Sequence, residues 1–108
     1  MKIHITNFTN AATVSFPVIL IQGSIENFTQ DVWTKHSRSS YVVMMHRKVC
    51  LDSNENDQTI TEVPMIKLKF KVLIQLHIGE NDIKFEFLGV KDSLRISYQP
   101  VSFSHRLR

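Results

Sequence analysis

The chain of 108 residues is long enough for one domain around one hydrophobic core, because two separate cores need more sequence than this. Hydrophobic residues make up 43% and charged residues 21% of the chain, which excludes a wholly disordered protein and a fibrous repeat. The net charge of +3 is well below the concentrated positive charge of proteins whose affinity depends on phosphate contacts.

Three features of the sequence bear on where the protein works. Cys50 is the single cysteine and cannot form an internal disulfide, which favours a reducing compartment and predicts a cytoplasmic protein. The first residues do not resemble a secretory signal, and the longest apolar-rich stretch, residues 14–21, is too short to span a membrane. Asn7 and Asn27 begin Asn-X-Thr triplets, which would accept glycans only in a secreted chain.

The first half of the chain predicts three strands. Their apolar and polar residues alternate with the period of a strand over residues 2–8, 13–22 and 40–51. The second of them is apolar in both phases after Pro17, so we expect its second half to be buried on both sides or to pack against an adjacent segment. Gly23 predicts a bend after this strand. The irregular residues that follow, 24–39, predict a strand edge and a loop.

The third and fifth strands have the clearest assignment of faces. In the third strand, Tyr41, Val43 and Met45 share the apolar phase, opposite His46 and Lys48. The fifth strand is predicted as one long strand from Met65 to His77, with its apolar phase at Ile66, Leu68, Phe70, Val72, Ile74 and Leu76.

The second half of the chain predicts four strands in total, joined by short turns. Besides the long strand, they cover residues 58–63, 82–87 and 93–99. Pro64 separates the first two, and a turn at residues 78–81 precedes the third. Phe85 is predicted to face the core together with Phe70.

Seven short strands with no amphipathic helix and no Gly-rich phosphate loop predict an all-β fold. We expect an immunoglobulin-like antiparallel β-sandwich of about seven strands. The sandwich is expected to span residues 1–100. Residues 101–108, after Pro100, are expected to form a C-terminal tail or linker stub.

The residues that could bind a metal or carry out catalysis have no suitable spacing. The sequence contains no H-E-x-x-H motif, and Cys50 has no C-x-x-C partner. His46 and Cys50 would lie roughly 13 Å apart along a strand, too far to share one metal ion. We therefore expect no cofactor and no catalytic residue. A surface position is expected for each of the five histidines, His4, His36, His46, His77 and His105.

Lys67, Lys69 and Lys71 form the candidate interaction face. Alternation along one strand would place their ammonium groups about 7 Å apart, where they could follow a phosphate backbone or contact an acidic partner. The alternative is a solvated face whose lysines discourage pairing with another sheet. No aromatic residue shares this face, so it offers no stacking platform for single-stranded nucleic acid.

Two segments of the chain carry a resemblance to a known family. They are V-S-F-P-V-I-L-I-Q-G at residues 14–23 and F-K-V-L-I-Q-L-H-I-G-E-N-D-I-K-F at residues 70–85. Their patterns, V-x-[FY]-P-x-x-L-x-x-G and F-x-x-x-x-x-L-x-x-G-x-N-x-I, resemble immunoglobulin-like accessory domains, in particular the N-terminal module of eukaryotic putative zinc metallopeptidases. The resemblance implies that the first segment packs in the sandwich and that the G-E-N turn links two strands.

The same resemblance implies a module without peptidase activity. The activity of that family would require an H-E-x-x-H segment in a separate domain, and this sequence has none. We therefore expect a non-enzymatic module that binds or positions another protein or an adjacent domain. The alternatives are a small polyanion or nucleic-acid binder that uses the three lysines, and an enzyme fragment whose site another chain completes. The sequence leaves the partner and the oligomeric state open.

Overall fold

The computed structural model describes residues 1–27, 41–49 and 58–101. These residues form eight strands and no helix, which confirms the predicted all-β class. The strands are β1 (Lys2–Ile5), β2 (Ala12–Val14), β3 (Val18–Glu26), β4 (Tyr41–Lys48), β5 (Thr59–Ile66), β6 (Lys69–Gln75), β7 (Gly79–Phe87) and β8 (Val90–Tyr98). The immunoglobulin-like topology within this class stays a prediction. Most of the predicted loop and nearly all of the predicted tail lie outside the described residues.

The strands form one curled sheet in the order β1-β3-β6-β5-β4-β7-β8-β2. Neighbouring strands are antiparallel, as predicted, except that β2 and β8 run parallel. β5 belongs to both halves of the sheet, because its residues 59–64 pair with β4 while Met65 and Ile66 pair with β6. β1 lies against β7 and β8, so the sheet folds over on itself in the manner of a sandwich.

The hydrophobic core lies between the two halves of the curled sheet. Phe70 of β6 and Phe85 of β7 are buried there, as predicted, with ring centroids 5.4 Å apart and planes tilted by 39°. The tilted offset is a favoured arrangement of aromatic pairs. The other buried apolar residues of β7 and β8 are Ile83, Phe87, Leu94 and Ile96.

Two strands bury a different face from the one expected. In β3, Ile19 and Ile21 are buried while Val18 and Leu20 are exposed, so the strand is not buried on both sides. In β4 the buried phase contains His46, and the predicted phase begins with the exposed Tyr41. Both strands are apolar in both phases, so their composition does not choose a face; pairing with their neighbours does.

The predicted long strand from Met65 to His77 is a hairpin. β5 ends at Ile66, and Lys67 and Leu68 form the turn with φ angles of 53° and 63°. Two consecutive positive φ angles are typical of the tight turn that suits the twist of a hairpin, usually made by Asn-Gly or Asp-Gly. Lys-Leu carries no such signal, which is why alternation alone predicted an unbroken strand.

Two other predicted breaks in the sheet are strand residues instead. Pro64 lies inside β5, where it pairs with Tyr41, and residues 79–81 of the predicted turn belong to β7. Gly23 lies inside β3 opposite Phe70, not at a bend. A Cβ atom at Gly23 would overlap the Phe70 ring, so the ring takes the space that a side chain would occupy.

Phe85→Ala tests the core. We expect a loss of about 3–5 kcal/mol in the free energy of unfolding, because a fully buried ring leaves a cavity. Phe16, which is 68% exposed, provides the matched control, and Phe16→Ala should cost less than about 0.5 kcal/mol. Urea melts measure both. Equal losses would contradict the burial described for β7.

Gly23→Ala tests the contact between β3 and β6. We expect a destabilisation of about 1–3 kcal/mol, because the added methyl group forces the Phe70 ring out of its place. In a double-mutant cycle with Phe70→Leu, the two losses should not add, since the smaller side chain leaves room for the methyl group. Additive losses in denaturant melts would show that the two residues do not share this space.

Candidate functional site

The three predicted interaction lysines do not lie on one strand. Lys67 is in the turn between β5 and β6, whereas Lys69 and Lys71 are exposed on β6. Pairing with β3 places Lys69 opposite Ser24 and Lys71 opposite Gln22, on the outer face of the sheet. The structure therefore keeps two of the three lysines together, and their role in binding stays a prediction.

An exposed apolar patch continues this outer face along β3 and β6. We define the apolar patch as Val18, Leu20 and Leu73, which are 49%, 38% and 69% exposed. Leu20 and Leu73 are paired across the two strands, and Val18 pairs with Gln75 two residues further on. Sequence reasoning missed this patch because an apolar residue in either phase of β3 was assigned to burial. A strand with apolar residues in both phases can instead bury one face and expose the other as an apolar surface.

Asn7 holds β3 in place beside the apolar patch. Its Nδ2 donates to the Leu20 carbonyl at 2.7 Å, and its Oδ1 accepts from the Gln22 N–H at 2.9 Å. The β1–β3 ladder ends before Asn7, and the Asn7 side chain satisfies backbone groups of β3 that a longer β1 would otherwise bind. Asn7, the first residue of a predicted glycosylation triplet, therefore has a structural role in this fold.

A cleft opens beside the apolar patch where β5 and β6 separate. The two strands pair only at Met65–Phe70 and Ile66–Lys69. Beyond these pairs they border an open depression of about 590 Å³. It is lined by Leu20 of β3, residues 61–64 of β5 and residues 71–73 of β6. The cleft thus brings the apolar patch, Lys71 and the separated strands together.

A buried polar cluster lies in the core near the start of β7. Asn81 is fully buried, and its Oδ1 accepts from the His77 backbone N–H at 2.8 Å. Its Nδ2 donates to the carbonyls of His77 at 2.9 Å, Gly79 at 3.1 Å and Ile96 at 3.3 Å. These backbone partners fix which end of the amide is oxygen. The side chain joins the segment before β7 to β8.

His46 of β4 completes this cluster. Its Nε2 lies 2.9 Å from Asn81 Oδ1, and because that oxygen accepts, Nε2 must carry the proton and donate. The ring of His46 lies beside that of His77, with centroids 5.1 Å apart. The predicted surface position was wrong for His46, which is buried, and right for His77 and His4, which are exposed. His36 and His105 lie outside the described residues.

Burial lowers the pKa of His46 below its ordinary value of 6.5. The hydrogen bond to Asn81 opposes this shift, and the charge of His77 adds to it. The neutral imidazole is therefore the form that this fold favours. The cluster acts as a structural connection between β4, β7 and β8.

Asp82 is the other buried ionisable residue of this region, on the outer side of β7. Its Oδ2 lies 3.4 Å from Arg47 Nε and 3.9 Å from Lys84 Nζ. A concavity of about 720 Å³ lies on the same face. Its ionisable lining residues carry both signs of charge: Arg47, Lys84, Lys91, Glu86 and Asp92.

The described residues do not fit a zinc site. Within residues 1–27, 41–49 and 58–101, no three His, Cys, Asp or Glu side chains come together as metal ligands. His46 and His77 adjoin one another, but His46 Nε2 donates to Asn81 Oδ1 and is not free to bind a metal. Over the same ranges, no helix has the length and hydropathy to cross a membrane.

His46 predicts a pH dependence of stability. Because the folded state holds the pKa of His46 below 6.5, the unfolded chain binds the proton more readily, and stability falls as the pH drops below 6.5. His46→Gln keeps an N–H donor and does not titrate, so it should lose less stability than the wild type between pH 8 and pH 5.5. Urea melts at the two pH values measure this difference.

His4→Gln is the control for this measurement, because His4 is exposed on β1. It should leave the pH dependence of the wild type unchanged. The opposite outcome, in which His4→Gln flattens the dependence and His46→Gln does not, would contradict the assignment of the buried neutral imidazole.

Comparison with known proteins identifies the family. The model of the family Metallopep, described as a putative peptidase family, matches residues 2–108, which is nearly the whole chain. Comparison with curated proteins finds no match. The family match agrees with the predicted association with metallopeptidases. The chain belongs to this putative peptidase family.

Proposed function

We propose that the chain is a non-catalytic β-sandwich module, immunoglobulin-like in character, that binds or positions another polypeptide for a protein of this family. The observation that carries the proposal is the apolar patch of Val18, Leu20 and Leu73 on the outer face of β3 and β6. A group of neighbouring exposed apolar side chains with a polar rim is a candidate site of interaction.

The surroundings of the patch support this function. Lys69 and Lys71 lie on the same outer face of β6, and Gln75 flanks the patch at its other end. An apolar centre with a polar and charged rim is the usual anatomy of a protein interface. Covering the patch would remove apolar surface from water, at roughly 25 cal/mol for each Å².

The non-catalytic part of the proposal is supported by the residues themselves. The sequence contains no H-E-x-x-H motif, and Nε2 of the buried His46 is hydrogen-bonded to Asn81 Oδ1. The family match is to a putative peptidase family, and within residues 1–27, 41–49 and 58–101 no set of metal ligands comes together.

Polyanion binding has weaker support. It depended on three lysines along one strand, and the hairpin turn removes Lys67 from β6. Two lysines beside an exposed apolar patch are better suited to a polypeptide that carries both apolar and acidic side chains.

The test is selection of peptides from a displayed random library on the wild-type protein at about 0.15 M salt, where weak surface electrostatics are screened. Selected peptides should bind Leu20→Ser/Leu73→Ser at least about tenfold more weakly, a loss of about 1.4 kcal/mol. Ile78→Ser is the matched control, because Ile78 is 64% exposed and lies outside the apolar patch. Fluorescence anisotropy measures each affinity.

Three results would contradict the proposal. They are recovery of no binding peptide, equal loss of affinity in the control variant, or peptidase turnover by the purified chain with stoichiometric zinc. Heparin binding at the same salt that disappears in Lys69→Glu/Lys71→Glu would favour the polyanion function instead.

A further inference from the structure

The backbone of β6 uses alternate residues to pair with β3. The Leu76 N–H donates to the Pro17 carbonyl at 2.7 Å, and the Ile25 N–H donates to the Leu68 carbonyl at 2.9 Å. Alternation along an antiparallel ladder therefore directs the N–H and C=O groups of the even-numbered residues of β6 to β3. Those of Lys71, Leu73 and Gln75 are directed to the opposite side, toward β5.

The backbone of β5 faces this edge with a second set of groups. The Val49 N–H donates to the Glu80 carbonyl at 2.9 Å, in register with the β4–β7 ladder. By alternation, the backbone groups of the odd-numbered residues of β4 therefore bond to β7, and those of the even-numbered residues bond to β5. By the register of β4 and β5, the backbone groups of Ile60 and Glu62 are then directed away from β4, toward β6. In the part of the chain that the structure describes, neither edge has a strand partner along the cleft.

Pro64 explains why the two strands separate. Ile66 and Lys69 close the hairpin, and continuing their register would place Pro64 opposite Lys71. That position requires an N–H directed at β6, and proline has none. The ladder therefore stops after two pairs, and the cleft begins at this residue.

We propose that the cleft between β5 and β6 binds an extended segment of another protein, which adds as a strand along residues 71–75 of β6. This inference rests on the proposed function and names the kind of partner. The segment alternates apolar and polar side chains. One apolar side chain covers Leu20 and Leu73, and a carboxylate lies next to Lys71 and Lys69.

The backbone groups of the cleft favour an extended segment over a folded surface. An added strand satisfies the free N–H and C=O groups of Lys71, Leu73 and Gln75, and its pockets for alternate side chains provide selectivity. The edge is recessed beside β5, so a single strand reaches it more easily than the edge of a second sheet.

The charges around the cleft favour an acidic segment. Lys71 and Glu62 are the ionisable residues that line the cleft, and Lys69 adds a second positive charge on the same face of β6. Lys69 and Lys71 together attract a carboxylate and disfavour a lysine-rich segment.

Hydrogen exchange of the free protein, followed by NMR, tests the open edge. The amides of Leu73 and Gln75 should exchange at least about tenfold faster than those of Val72 and Ile74, which are directed to β3. The latter two are the internal control, because they belong to the same strand. Equal protection of all four amides would overturn the inference by showing that the edge is already paired.

A synthetic peptide tests the occupant. The probe is an acetylated seven-residue peptide in which valine alternates with threonine, with a glutamate at each end. It should bind the wild type, protect the amides of Leu73 and Gln75, and lose at least about tenfold in affinity to Lys71→Glu. The same peptide with lysine at both ends should bind more weakly to the wild type and more tightly to Lys71→Glu.

N-methylation of single peptide residues separates strand addition from simple apolar contact. Methyl groups at the alternate positions whose N–H faces β6 should abolish binding, and methyl groups at the positions between them should weaken it less, because the segment pairs along β6. Strand addition would be overturned if the glutamate peptide did not bind, or if N-methylation reduced its affinity equally at every position of the peptide. The apolar patch would still be supported if library peptides lost affinity in Leu20→Ser/Leu73→Ser.

Discussion

The continuity of the sheet depends on β5, the strand that both halves share. Residues 59–64 hold it to β4, and two further residue pairs, Met65–Phe70 and Ile66–Lys69, connect it to β6. Such a short ladder cannot fix the angle between the halves by itself. The burial of Phe70 against Phe85 adds the nonpolar contact that holds β6 over β7. Pro64 shortens the ladder, so the same residue shapes both the curl of the sheet and the cleft beside it.

The buried amide of Asn81 has a complementary role on the other side of the core. It satisfies backbone groups of His77, Gly79 and Ile96 in a segment that leaves β6 and enters β7 without regular pairing. Unpaired backbone groups in such a position would each cost free energy. Because every polar atom of the side chain is used, the cluster also disfavours other registers of β7.

Sequence periodicity predicted the fold class and much of the core. Phe85 and Ile96 lie in strands where only one phase is apolar, and in the strand of Phe70 the other phase contains a single apolar residue, Leu73. It failed where the pattern was ambiguous. β3 is apolar in both phases, so its exposed side was taken for a buried one.

The hairpin turn and the buried histidine were missed for other reasons. Lys67 and Leu68 adopt positive φ angles without glycine or asparagine, so the turn has no compositional signal. His46 is polar by type, and its burial depends on Asn81, which is 35 residues away in the chain. The cleft could not be predicted because it arises from the register of two strand pairs around Pro64, which is a property of the assembled sheet.

The parallel pairing of β2 with β8 has a consequence for how the chain folds. Ala12 pairs with Ile96, and the Gln99 N–H donates to the Val14 carbonyl, so β2 joins residues from opposite ends of the described chain. Contacts between residues so far apart in sequence form slowly, because a long loop must close first. Among the described strands β2 pairs with β8, so during synthesis this pairing must wait until β8 has left the ribosome. The hairpin of β7 and β8 is therefore a natural nucleus, and docking of β2 is expected to be among the last steps of folding.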